Sequence, residues 1–135
     1  MTLVKDAPRT STTIKIRSDP QARISRSRDP FYHLMRRLFK DETNAVRAQK
    51  FLIMIEERQT SGNPIRTTEW EYLLEEFNVE RASFYGMRNK LLGAGLITHK
   101  KGEYRLSGQF SKELMDLSRW WWTAVLHNDP EKLQP

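Results

Sequence analysis

The sequence predicts a mainly α-helical domain with one small β-hairpin, and three observations lead there. Apolar residues recur at helical spacing in five separate stretches, each closed by a turn or breaker residue. Between the last two stretches the period changes, and two short strand-like runs flank Lys101-Gly102. A chain of 135 residues, 38% hydrophobic and 30% charged, has room for one modest core and little more.

Residues 1–28 are rich in Ser, Thr and Arg, carry Pro8 and Pro20, and show no sustained apolar period. They are expected to form a flexible basic arm. Asp29-Pro30 then reads as a helix start, a capping carboxylate before a proline in the first helical position. Phe31, Leu34, Leu38 and Phe39 give that first helix, over residues 29–40, an apolar side, and His33, Arg36, Arg37 and Lys40 give it a basic one. The pattern breaks at 41–44 and resumes with Ala45, Ala48, Leu52 and Ile55, widened by Phe51 and Met54, until Ser61-Gly62-Asn63-Pro64 stops it.

Ile65 is a candidate short strand, and Thr68 with Glu71 has the spacing of a capping box. Trp70, Leu73, Leu74 and Phe77 mark the buried side of the next helix. Asn78-Val79 reads as a tight turn. A further helix over residues 80–92 is anchored by Phe84, Met87 and Leu91 and closed by Gly93 and Gly95. Two strands, 96–100 and 103–106, follow, with Lys100 and Lys101 at the hairpin tip. The last helix, 107–127, runs through Phe110, Leu114, Leu117, Trp121 and Val125 to a stop at Asp129-Pro130. Residues 29–135 thus read as one domain behind the arm.

The net charge is +6, and it is unevenly placed. Lys5, Arg9, Lys15, Arg17, Arg23, Arg26 and Arg28 face only Asp6 and Asp19 within the arm, so residues 1–28 alone carry +5. A polyanion is the expected partner. Glu56-Glu57 and Glu75-Glu76 leave residues 29–135 at only +1, so binding there requires charge to be segregated within the domain. The lack of cysteine excludes disulfides, thiolate metal sites and thiol catalysis. His33, His99 and His127 fall on three different elements, and no glycine loop suits a phosphate. No enzyme, metal or cofactor is expected. No apolar run approaches the ~20 residues of a membrane span, and the first 30 residues lack a signal peptide's apolar stretch, so no membrane partner and a cytoplasmic place are expected.

The runs Val79-Glu80-Arg81-Ala82-Ser83-Phe84-Tyr85, Leu91-Leu92-Gly93-Ala94-Gly95-Leu96-Ile97 and Gly102-Glu103-Tyr104-Arg105-Leu106 resemble the winged helix-turn-helix superfamily, which includes MarR-type, PadR-type and many archaeal regulators. The resemblance covers about residues 45–107, and its most specific part is Gly95-Leu96-Ile97. One departure is Glu80, which stands where members commonly place Ser or Thr at the start of the reading helix. The resemblance implies a double-stranded DNA partner. Helix 80–92 would read the major groove and the 96–106 wing would grip backbone.

On a helix anchored by Phe84, Met87 and Leu91, the 100° step places Ala82, Tyr85, Gly86, Asn89 and Gly93 on the outer side. Arg81, Ser83, Arg88 and Lys90 lie on its flanks. Asn89 has the donor and acceptor for adenine, and an arginine fork suits guanine. Mid-helix Gly86 costs about 1 kcal/mol against alanine, which close backbone approach to DNA would explain. Lys100, Lys101 and Arg105 on the wing, and Arg23, Arg26 and Arg28 on the arm, are expected on phosphates.

Trp120, Trp121 and Trp122 fan over about 200° of a helix, so they cannot all face one small core. Trp121 continues the Phe110, Leu114, Leu117 side, and Trp122 continues a second ridge with Met115, Ser118 and Leu126. A homodimer interface is expected from Phe31, Leu34, Leu38, Met115, Trp120, Trp122 and Leu126. The expected function is a dimeric transcriptional regulator or related DNA-binding factor, nucleoid-associated in a prokaryote. The alternatives are a winged-helix protein adaptor and a plasmid-partition or chromatin protein. No residues identify a small-molecule effector.

Overall fold

The computed structural model describes residues 12–16 and 23–134, the remainder of the predicted arm lying outside the described residues. Helix α1 (Pro30–Leu38) begins where the Asp29 side chain accepts from the Tyr32 N–H at 3.1 Å, with Pro30 in the first turn. Helix α2 (Glu42–Thr60) begins the same way: the Asp41 carboxylate accepts from the Thr43 N–H at 3.2 Å. Short acceptors at both starts satisfy donors that have no partner inside the helix.

A 3₁₀ turn, Thr67–Glu69, leads into α3 (Trp70–Phe77). The cap differs from the Thr68/Glu71 pair expected from spacing. Glu69 accepts from the Arg66 N–H and also holds both guanidinium nitrogens of Arg58, at 3.2 and 3.1 Å. Burial pushes the Glu69 carboxyl up, but the Arg66 N–H and the Arg58 charge outweigh it and hold its pKa below the ordinary value. Asn78 ends α3 in the left-handed conformation (φ 50°) and turns the chain through Val79 into α4 (Arg81–Gly93).

Strands β1 (Ile97–Thr98) and β2 (Arg105–Leu106) pair antiparallel, Ile97 opposite Leu106 and Thr98 opposite Arg105. The strand expected at Ile65 takes the form of a bridge between Arg66 and Glu103, with the Tyr104 N–H donating to the Ile65 carbonyl at 2.8 Å. Helix α5 (Gln109–Trp120) follows and continues as a π turn, Trp121–Val125. The described residues are therefore mainly helical, with five α-helices and one small antiparallel hairpin. No described helix is long and apolar enough to cross a membrane.

The core is gathered around Phe51 on α2. Its ring meets Phe77, Phe84 and Tyr104 edge-on, at 6.0, 5.4 and 5.4 Å between centroids. Each contact joins a different element to α2, and such pairs add about 0.5–1.5 kcal/mol beyond area burial. Ala45, Ala48 and Ile55 on α2, Met35 on α1, Leu73 on α3 and Leu91 on α4 are fully enclosed with it. Phe84 and Leu91 also fix the rotation of α4, which decides what it turns outward.

Candidate functional site

Helix α4 is preceded at its N-cap by Glu80, whose side chain makes no cap, and buries Phe84, Met87 and Leu91. Arg81, Ala82, Ser83, Gly86, Lys90 and Gly93 are exposed, and Tyr85, Arg88 and Asn89 are half-buried. A Cβ placed on Gly86 would meet nothing within 4 Å, so among the described residues no other part of the chain covers the middle of this face. Arg81, Tyr85 and Arg88 stand at i, i+4, i+7 and stack. The guanidinium of Arg88 lies 4.4 Å and that of Arg81 5.6 Å from the Tyr85 ring centre, and Arg81 lies 4.7 Å from that of Trp70. Each such contact contributes about 0.5–1 kcal/mol at an exposed site. That is enough to bias both arginines toward one orientation.

Asn89 is half-buried on this face. Its Oδ1 accepts from Arg88 Nε at 3.3 Å and Nη2 at 3.0 Å, so its acceptor is engaged within the helix. Arg88 Nη1 donates to the Tyr104 hydroxyl at 3.5 Å, which ties the outer stripe to the core. Burial raises the Tyr104 pKa, with Arg88 offsetting part of the rise.

The hairpin tip is wider than the two-residue turn expected. Between the strands lie residues 99–104, with a 3₁₀ segment at Lys100–Gly102 and left-handed backbone at Lys101 (φ 55°) and Gly102 (φ 73°). Lys100 and Lys101 are exposed. Arg105 is not a free cation, because Nη2 lies 2.9 Å from Glu103 Oε2. The tip thus presents less net charge than its sequence implied.

The main concentration of positive charge is elsewhere. Residues 12–16 run across the domain, the Thr12 hydroxyl donating to the Lys90 carbonyl at 3.0 Å and the Lys15 N–H to the Arg37 carbonyl at 3.1 Å. A 3₁₀ turn, Ile24–Arg26, then leads toward α1. Part of the predicted arm is therefore seated on the domain rather than loose. Between it and α1 is a hollow of about 590 Å³ lined by Lys15, Arg23, Arg26, Arg28, His33, Arg36, Arg37 and Lys40, with Ile24 and Ser27. Among the described residues no carboxylate is part of that lining. Sequence reasoning gave Arg23, Arg26 and Arg28 a role on phosphates and read the basic side of α1 without giving it one. The signal was present, since His33, Arg36, Arg37 and Lys40 are spaced i, i+3, i+4, i+7.

Beside the hollow, sharing Lys15, Ile24 and Arg37 with it, opens an apolar groove of about 900 Å³. Ile14, Phe31 and Leu34 form one wall, and Phe110, Leu114, Leu117 and Trp121 of α5 and its π turn form the other. Neither α5 nor the π turn buries a single residue. Trp120 is 57% and Trp121 54% exposed, with Met115 and Leu126 also exposed. Two expected interface residues are placed otherwise. Leu38 is buried in the core, where a partner cannot reach it, and Trp122 is half-buried, donating Nε1–H to the Asp129 carbonyl at 2.7 Å. Among the described residues no three His, Asp or Glu side chains gather as a metal site.

Residues 28–127 match a family described as archaeal, and that span is well over half of the chain. The chain belongs to this archaeal family. The archaeal family's span takes in α1, with its basic wall, and runs to the end of the π turn, so both flanking helices belong to it together with the central elements. No curated protein and no solved structure matches the chain.

Proposed function

We propose that this protein binds double-stranded DNA as a regulator of transcription, with α3, the turn at Asn78, α4 and the hairpin working as a winged helix-turn-helix. The observation that carries the reading is the outer face of α4. It is uncovered, small at Ala82, Ser83 and Gly86, and basic at Arg81, Arg88 and Lys90. Such a surface lets a helix backbone come close to a groove while arginine forks reach phosphates or guanine edges. The order of helix, bridge, helix, turn, helix and hairpin agrees with the resemblance seen in the sequence. In this reading Lys100 and Lys101 touch backbone, and the protein works on the nucleoid.

Pairing through α5 completes the proposal. Its Phe110, Leu114, Leu117, Trp121 series alternates steps of four and three, the spacing of a helix–helix seam, and the described residues leave it open. A two-fold pair would present two α4 helices to successive major grooves, about 10 base pairs apart. A protein-adaptor role draws on the same exposed Trp120 and Trp121, which would then bind a different chain.

The deciding experiment is selection of bound sequences from random duplex DNA, followed by binding of the selected site at several salt concentrations. A pseudo-palindromic site and loss of preference in Arg81→Ala and Arg88→Ala are expected. Unselective recovery with unchanged affinity in both variants removes α4 from the mechanism.

A further inference from the structure

We infer that the two arginines nearest Tyr85 divide the work of α4: Arg81 reads a guanine edge, and Arg88 is a positioning residue that holds the Tyr85 ring beside it. The inference rests on the DNA-binding reading and names, within it, the side chain that chooses the base.

Three observations carry it. First, Arg81 is the first residue of α4, and a reading helix brings its N-terminal residues to base edges. Its guanidinium lies 4.7 Å from the ring centre of Trp70 on α3 and 5.6 Å from that of Tyr85. Among the described residues Arg81 makes ring contacts alone, with no hydrogen bond or ion pair. Stacking engages the flat side of a guanidinium and leaves the N–H groups along its edge to donate, and guanine accepts two of them at O6 and N7.

Second, the corresponding edge of Arg88 is already in use. Its Nε and Nη2 both donate to Asn89 Oδ1, at 3.3 and 3.0 Å, and Nη1 donates to the Tyr104 hydroxyl at 3.5 Å. Nε carries a single hydrogen, so that fork pairs with a base only by giving up Asn89. Third, Arg88 is placed to act through its neighbour. Its guanidinium lies 4.4 Å from the Tyr85 ring centre, and the Tyr104 to which it bonds is buried. Tyr104, Arg88, Tyr85, Arg81 and Trp70 thus form one series of alternating rings and cations that runs from the core to the start of α3. A guanidinium held against two rings has fewer orientations to lose when it meets a base.

The test uses the full chain and the duplex recovered by selection, with each base pair of the site replaced in turn and binding followed by fluorescence anisotropy at fixed salt. R81A should lose discrimination of about five- to a hundredfold at one G·C pair and keep it at the others. R88A should lose part of the discrimination at that same pair, and R81A/R88A should discriminate there no worse than R81A alone. Y85F, which keeps the ring, should read as the parent does, whereas Y85L should weaken the same pair; melting curves check that each variant is folded. Loss at a different pair in R88A, adding to the loss in R81A, makes Arg88 a reader in its own right and overturns the inference while leaving the α4 reading standing. A loss in R88A that is equal on all sequences overturns it too, because that is what a purely structural role produces. Unchanged preference at every pair in both R81A and R88A sinks the α4 reading together with the inference, and a parent that does not bind duplex DNA sinks the DNA-binding reading itself.

Discussion

Helix α4 has 13 residues and turns Phe84, Met87 and Leu91 into the core, whereas α5 has 12 and buries nothing. What α4 leaves outside is small or basic. What α5 leaves outside is Met115, Leu117 and Trp120, followed by Trp121 in the π turn. Both helices have an unfilled side, but the chemistry of the two sides differs. A strip of alanine, serine, glycine and arginine gains little from meeting another apolar surface and suits a charged, hydrated partner. Exposed tryptophan and leucine gain most from meeting more of their kind, at about 25 cal/mol per Å² removed from water. One molecule thus has two surfaces whose chemistry suits two different kinds of contact.

The contrast can be broken most directly through stability. Phe84→Ala should cost about 3–5 kcal/mol in urea unfolding, since the ring is enclosed between Phe51 and Phe77, while Leu117→Ala on α5 should cost the monomer less than about 1 kcal/mol. Equal losses would mean that α5 is part of the core. Next comes Trp121→Ala, expected to weaken self-association by about 2 kcal/mol, read as a shift toward monomer in sedimentation with little change in the melting of the monomer. A parent that sediments only as monomer ends that half of the comparison.

A smaller effect is expected at the start of α3. Because the Glu69 pKa is lowered in the folded chain, its contribution is present at neutral pH and is lost as pH falls through that lowered value. Glu69→Gln should cost about 1–2 kcal/mol at pH 7 and flatten the acid limb of the stability profile; an unchanged limb would assign acid sensitivity to other carboxylates. Smallest is Gly86→Ala. With open space around it, the substitution should stabilise α4 by up to about 1 kcal/mol yet weaken duplex binding, a split that sharpens the distinction between folding side and reading side. Improved stability with undiminished binding would mean that the backbone does not come close to DNA there.

Local features were legible in the sequence wherever one side chain settles them. Asp29-Pro30, the Asn78 turn and the anchors Phe84, Met87 and Leu91 are all as read. Thr68 and Glu71 had the right spacing for a cap, but the competing carboxylate of Glu69 had Arg58 within reach, a partner supplied by a different helix. Lys101-Gly102 did mark the turn, and the strands are shorter than their β-like composition implied. Tyr104, between tip and strand, points into the core and bonds back to Ile65. Leu38 was placed on an interface because its helix has an apolar side, and nothing in a helical period says which apolar side the core will take. The hollow was the least legible. Lys15 and Arg37 meet through a backbone bond between segments with no common pattern, so the two sets of charge could be seen in the sequence but not their meeting.

Gly95 sets the geometry of everything that follows it. Its backbone is left-handed (φ 77°), its carbonyl accepts from the Phe110 N–H at 3.0 Å, and any Cβ there would sit 3.0 Å from that same nitrogen. The hairpin base and the first turn of α5 are therefore butted together at a joint with no space for a methyl group. In a pair built on α5 this joint acts as a hinge pin whose angle, carried along a rod of 12 residues, dictates how far apart the two α4 helices stand. Half-site spacing would then be governed by a residue that touches neither DNA nor the second chain.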